Sequence, residues 1–440
     1  MKYAVFAFAA LVGVPGMAIA GLNFAFVREL LMCLLVLSTA FGQVARINFV
    51  SFESYRGPDR GFEISAIDLI NLVMLIILVV RYPKEIKWIP FNGFWLGLFF
   101  FQNLLSALNA PSLLYFGFSI LKLSRVLLIY WCCANYFRVE KKIDGLWYGM
   151  VGAAFAVTAY AFVQKYMYGI YRVPGPFDHS NTIPPFLNLL LPGILLWTFC
   201  EDSFPIWKVN IGILAVLGII FSVISTFSRA GLALSLACIA ATVCFALFKK
   251  PSFRVSIFTL FLILGLVGGA IRAYSSFMER LKSAPKSSEE ARDEFNEAAN
   301  EMAHDYFLGV GLNNFSQVLT NVEKYRENIE VMANEEEAGV CHHIYWLTAA
   351  ELGFSGLLVF GIILLRFGLH MVYHSFKSRK IPGLLLFAFL VGQCSLHLSG
   401  LLEWTFRQTP VMSLFFITCG VVVGISSRES EESDESEESV

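Results

Sequence analysis

Arg229, Arg292 and His342 each stand in a polar segment beside an apolar run, where a cation or an imidazole needs a physical reason to be. Arginine between apolar runs is costly at membrane depth unless it snorkels or meets an anion. Arg229 follows Ser225-Thr-Phe-Ser228 and precedes Gly231 at the start of an apolar helix, whose free N–H groups and positive dipole end also attract an anion such as phosphate. Arg292 follows Ser287-Ser-Glu-Glu290, a capping-box pattern opening an amphipathic helix with Phe295, Ala298, Ala299 and Met302 on one stripe. Arg292 shares that stripe, so it faces with the apolar side toward the membrane body. His342 lies in Cys341-His-His-Ile-Tyr-Trp346 just before a long apolar run, where a neutral imidazole can serve as a general base near pH 7. The plainer readings are a snorkelling arginine and a structural histidine. His342 and His343 are adjacent and do not share a helical face, so no metal site is expected from the pair.

Further polar groups invite the same weighing. The Pro/Gly-rich loop Arg172-Val-Pro-Gly-Pro-Phe-Asp178-His179-Ser-Asn181 runs into a span with Pro184 and Pro185 in its first turn. It reads either as a capped helix entry or as a ligand loop in which Arg172, His179 and Asn181 make contacts. Lys122 and Arg125, three apart in one span, either line a lipid-binding cavity or pair internally with Asp68. Glu403 and Arg407, four apart at a turn, read as a local ion pair. The nine cysteines are odd in number, lie mostly in apolar runs and form no C-x-x-C, which argues against a disulfide framework or zinc finger. No Walker A loop, dinucleotide fingerprint or H-E-x-x-H occurs.

The elements that must position these residues are membrane helices. Of 440 residues 57% are hydrophobic and only 15% charged, against about 25% charged in a typical soluble domain, and mean hydropathy is +0.64. The fold expected is an all-α polytopic membrane protein with 12–13 transmembrane helices in one domain over 1–426, and spans near 64–80, 91–108, 112–137, 145–166, 182–200, 208–226, 230–248, 255–273, 343–368, 382–400 and 408–426. Met1 to Ala20 imitates a secretory signal but reads as a first span, and Leu30 to Phe41 as a second apolar stretch. The formal charge of −1 conceals a segregation. Arg428 to Val440 holds seven acids and one base, and the polar island 274–340 holds 14 acids and 6 bases, which leaves 26 bases against 13 acids for the rest. Those bases cluster in short connections, which stay in the cytoplasm. The island, the 43–63 loop, the 167–181 loop and the Ser228 turn then fall outside. The tail, 427–440, is too polar to bury a core and is expected to be disordered.

In this order, Ser228-Arg229-Ala-Gly231, the island helix with Arg292, Leu308-Gly-Val-Gly-Leu-Asn-Asn-Phe315, and His342 followed by Glu351-Leu-Gly-Phe-Ser-Gly-Leu357 resemble the O-antigen ligase and O-antigen polymerase superfamily, best over 165–370. Gly175-Pro-Phe-Asp-His-Ser-Asn181 is similar to its Gly-Thr-Phe-x-x-x-Asn loop. Ala230, His343 and Asn296 depart from the common glycine, Asn or Ser, and aromatic residue. The resemblance implies a GT-C-type glycosyltransferase of the bacterial inner membrane, acting on its periplasmic side without cofactor or metal. It implies transfer of a glycan from an undecaprenyl-diphosphate carrier to a hydroxyl on a glycan, a lipid-A core or a protein, with inversion. Arg229 and Arg292 would hold the diphosphate and His342 would deprotonate the acceptor, with Arg172, His179, Asn181, Lys122, Arg125 and His343 as further substrate contacts. The bilayer and the lipid-linked donor are the expected partners, and nucleic acid is not. The residues carry no acceptor code, so polymerase, ligase and protein glycosylation stay open, with a lean to polymerase. A transporter or flippase of lipid-linked sugars is the alternative from another class, but no internal repeat supports it.

Overall fold

Apolar runs whose backbone polar groups can find no water must satisfy them internally, and in this chain they do so as helices. The computed structural model describes residues 2–42, 46–257, 259–260, 265, 287–326, 329, 339–377 and 381–438. The expected 255–273 span therefore lies largely outside the described residues, as do the island's first residues and the side chains of the Ser287–Glu290 capping box.

The chain begins with α1 (Lys2–Asn23) and α2 (Ala25–Thr39), then an antiparallel hairpin of β1 (Arg46–Ser51) and β2 (Gly61–Ser65). Next come α3 (Ala66–Arg81), α4 (Gly93–Ser106), α5 (Leu113–Val139), α6 (Asp144–Tyr166), α7 (Ile183–Cys200), α8 (Ile206–Thr226) and α9 (Arg229–Lys249). The island contributes α10 (Ser287–Asp305) and α11 (Phe315–Asn321), and the chain closes with α12 (Ile344–Lys377), α13 (Ile381–Ser399) and α14 (Thr409–Glu438). Among the described residues nine helices are long and apolar enough to cross a membrane: α1, α5 to α9 and α12 to α14, with α7 counted from Ser180. Helices α2, α3 and α4 are apolar but have 15, 16 and 14 residues, short of the 20 or so that a full span needs. The span limits read from hydropathy lie within a few residues of these helices, except that α12 and α14 run further.

At the centre is α7, every residue of which is buried among α6, α8, α9 and α13. Around it, α14 packs along α5. The expected disordered tail is instead a continuation of α14 as far as Glu438. Electrostatics supply a reason, since Glu431 is bonded by Arg138 at 2.8 Å and by Lys87 at 3.0 Å, so the first acids of the tail neutralise bases of two other connections.

Two glycine contacts hold the island to the bundle. Helix α12 breaks at Gly353, whose φ of 72° lies in the left-handed region. The break frees the Ala350 and Glu351 carbonyls, which accept Val310 N–H at 2.8 Å and Gly311 N–H at 3.1 Å. A Cβ on Gly353 would stand 2.0 Å from the Phe307 carbonyl oxygen, so only glycine permits this approach. Two asparagines follow the turn. Asn313 donates to the Asp59 and Tyr115 carbonyls, and Asn314 bonds both backbone groups of Ser112. The Leu308–Phe315 motif is therefore an anchor tying the hairpin tip and the α4–α5 turn to α12.

Candidate active site

The four polar segments singled out in the sequence meet at one end of the bundle, together with the hairpin. Between them lies a cavity of about 510 Å³, within the range of ligand pockets. One wall is the hairpin, with Arg46, Arg56, Arg60 and Glu63. The other carries Asp178, His179, His342, Glu403, Trp404 and Gln408.

Local structure explains why these side chains are there. His342 is the last but one residue before α12, in the bend that leads into that helix, and its imidazole stands partly exposed on the cavity. His343 points the other way and accepts Trp346 N–H at Nδ1, 3.2 Å, capping the first turn of α12. Burial lowers the His343 pKa, in keeping with a neutral cap. His179 likewise accepts Asn181 N–H at Nδ1, 3.1 Å, at the entry to α7. Burial pushes its pKa down, with Glu403 opposing that shift.

Glu403 is the hub. It is buried, with 9% exposure, in the α13–α14 turn. Its Oε1 accepts from Asn181 Nδ2 at 2.6 Å and from Arg292 at 2.8 Å, while Oε2 lies 3.4 Å from His342 Nδ1. Arg172 backs the arrangement by donating to Asn181 Oδ1 at 2.9 Å. Burial would raise the Glu403 pKa, but His342, Arg292 and His179 together hold its carboxyl below the usual carboxylate range.

The local Glu403–Arg407 pair expected from i, i+4 spacing does not form. Thr405–Arg407 is a 3₁₀ turn, so the two side chains diverge, and Arg407 instead donates to the fully buried Glu351 at 2.7 Å. Lys122 and Arg125 are likewise committed inward. Lys122 is paired with Asp59 and donates to the Arg407 carbonyl at 2.5 Å, and Arg125 grips Asp68 through two nitrogens at 2.5 and 2.7 Å. Both cations are therefore internally paired, Arg125 with the expected Asp68 and Lys122 with Asp59 instead.

Arg292 sits at the edge of α10, whose Phe295, Ala298, Ala299 and Met302 are buried against the bundle as their stripe requires. Arg229 opens α9 after a tight turn in which Phe227 adopts φ 56° and Ser228 accepts Gly231 N–H at 3.2 Å. Arg229, Arg292, Arg172 and Asn181 do not line the cavity themselves; Arg292 and Asn181 reach it through Glu403. Sequence reasoning missed Glu403 and the hairpin arginines. The signal for Glu403 was present: a carboxylate in a short turn between apolar spans needs a cation, and Arg292 and His342 lay at the same end of neighbouring helices.

Comparison with known proteins bears on this end of the molecule. No curated protein matches the chain. A chain from a solved structure described as the structural coordination of polymerization and crosslinking by a peptidoglycan synthase complex aligns with 78% of this chain and 99% of its own, at 14% identity and a TM-score of 0.40. Residues 214–361, which hold Arg229, Arg292 and His342, match the family described as O-antigen ligase. That match, with the many apolar helices and the motif order, supports assignment to the O-antigen ligase and polymerase superfamily, whose members are membrane glycosyltransferases.

Proposed function

We propose that this membrane glycosyltransferase moves a glycan from an undecaprenyl-diphosphate carrier to an acceptor hydroxyl at the periplasmic face of the inner membrane, as a polysaccharide polymerase or O-antigen ligase. The observation that carries the reading is the placement of His342 on a polar 510 Å³ cavity, with Arg292 held beside it through Glu403.

In this mechanism His342 takes the proton of the acceptor O–H as that oxygen attacks the anomeric carbon. The bond to the carrier phosphate breaks on the opposite face, and its electron pair leaves on the diphosphate. Direct displacement inverts the anomeric centre. Arg229 and Arg292 neutralise the leaving diphosphate, a task suited to the guanidinium fork and one that a metal would otherwise perform, while the lipid-linked donor takes the place of a nucleotide sugar. The half-exposed Arg292 shares its charge between Glu403 and the donor. Arg172 and His179 shape the approach from the α6–α7 loop.

Purified protein given an undecaprenyl-diphosphate glycan and candidate acceptor glycans should release undecaprenyl diphosphate in the presence of EDTA. Activity that is lost in EDTA and regained with a divalent ion would overturn the metal-free route. His342→Ala should cut turnover by about 100-fold or more while leaving the melting temperature in place. Full turnover in that variant would remove the base assignment.

A further inference from the structure

A carboxylate that served only to bind the segments together would spread its donors over both oxygens. In Glu403 the two firm donors, Asn181 Nδ2 at 2.6 Å and Arg292 at 2.8 Å, both bond Oε1, and Oε2 is turned toward His342 Nδ1 at 3.4 Å. We infer that Glu403 is the positioning residue of this site: its carboxylate accepts from His342 Nδ1–H and so turns the Nε2 lone pair toward the cavity. The inference rests on His342 being the base proposed above.

An ionised carboxylate can only accept, so the ring nitrogen facing it must carry the hydrogen, and in a neutral imidazole the other nitrogen is then the base. A separation of 3.4 Å is long for a settled hydrogen bond, as is common before substrate is bound, when such contacts have yet to tighten. The carboxylate is well placed to stay ionised. Arg292 reaches it from α10, Asn181 with Arg172 behind it from the α7 entry, and His179 from the loop before it, while Asp178 is the other acid on that wall. When the acceptor proton arrives on Nε2, the imidazolium is stabilised at once by Glu403 on the far side of the ring. Glu403 itself touches no reacting atom.

The first test needs no substrate. Full-length protein in nanodiscs, with ¹⁵N-labelled histidine rings, carries seven histidines, and His342→Ala identifies the resonances of interest. His342 should appear as the Nδ1–H tautomer, and Glu403→Gln, which offers an amide in place of an acceptor-only carboxylate, should lower the share of that tautomer. An Nε2–H tautomer in the native protein, or an unmoved tautomer balance in Glu403→Gln, overturns the inference. The second test reads undecaprenyl diphosphate released from the lipid-linked glycan. Glu403→Gln should lower kcat by about 100-fold with little change in donor KM, and cost nothing further in the His342→Ala background. Losses that multiply across the two substitutions would show separate roles and overturn the positioning. Should Glu403→Gln fail to fold, Glu403→Asp keeps the charge and retracts it by one methylene; it should keep the Nδ1–H tautomer yet slow turnover, and a fully active Asp variant overturns the inference. Native turnover in His342→Ala, by contrast, removes the base assignment while leaving the tautomer result intact.

Discussion

At the residue scale, the cations of this protein divide by the partner that holds them. Lys122, with a side chain 5% exposed, is sealed against Asp59, and Arg407 against Glu351. Removing one partner of such a pair leaves an uncompensated buried charge, a loss of about 3–5 kcal/mol. Lys122→Met should therefore depress thermal stability in detergent by that order, and a melting temperature equal to the native one would show the pair to be dispensable. Arg292, a third exposed, belongs to the other class. Arg292→Ala should cost less stability than breaking a sealed pair and should raise the donor KM; donor dependence that does not change would remove it from the phosphate site. The pH response of the hub has a definite sign. Because the folded Glu403 carboxyl lies below its ordinary pKa, its contribution to stability is complete above about pH 4.3 and drains away as pH falls through the lower, folded value. Unfolding of the native protein should be more acid-sensitive than that of Glu403→Gln, and equal sensitivity would count against the depressed pKa. Polar residues beside apolar runs showed at the sequence level that Arg292 and His342 were special. Glu403 was hidden because spacing alone suggested a helical i, i+4 pair with Arg407, and only the 3₁₀ geometry of that turn separates them.

At the element scale, hydropathy located α3 to α9 and α13 to within a few residues, and the starts though not the ends of α12 and α14, because burial in lipid demands unbroken apolar runs. It could not locate the hairpin, whose 46–51 and 61–65 strands pair through backbone bonds that leave little trace in so short a segment. Nor could it say what the glycine turn does. Gly309 and Gly353 meet backbone to backbone, both with positive φ, and a Cβ on Gly309 would stand 2.2 Å from the Glu351 carbonyl carbon. Gly353→Ala combines a left-handed backbone with that collision, and should destabilise the protein by about 2–4 kcal/mol while also lowering turnover through displacement of the His342 end of α12. Calorimetry in detergent together with a turnover assay checks both, and a native-like variant would show that the break in α12 is not needed. The tail misled composition for a different reason: acids that cannot bury a core can still extend a helix when bases such as Arg138 and Lys87 wait beside it.

At the scale of the whole molecule, charge is sorted along the bundle axis. The pairs Arg28–Glu140, Lys142–Glu29, Lys208–Asp144, Lys250–Asp202 and Arg138–Glu431 join the short base-rich connections, at the end away from the cavity. The cavity and its five polar segments occupy the opposite end. If bases mark the cytoplasm, an impermeant maleimide should label Ser54→Cys in intact cells and Lys141→Cys only after permeabilisation, in a background lacking the exposed Cys244 and Cys394. The reverse pattern would invert the topology and with it the periplasmic site. The glycine-to-glycine seam also bears on how this scaffold can be re-engineered. Loop exchange between relatives is a natural route to a new acceptor preference, yet here the island's Val310 and Gly311 N–H groups donate to the Ala350 and Glu351 carbonyls of α12. A transplanted island is not a modular cassette: it should function only when the matching Ala350–Gly353 stretch of its source is transplanted with it.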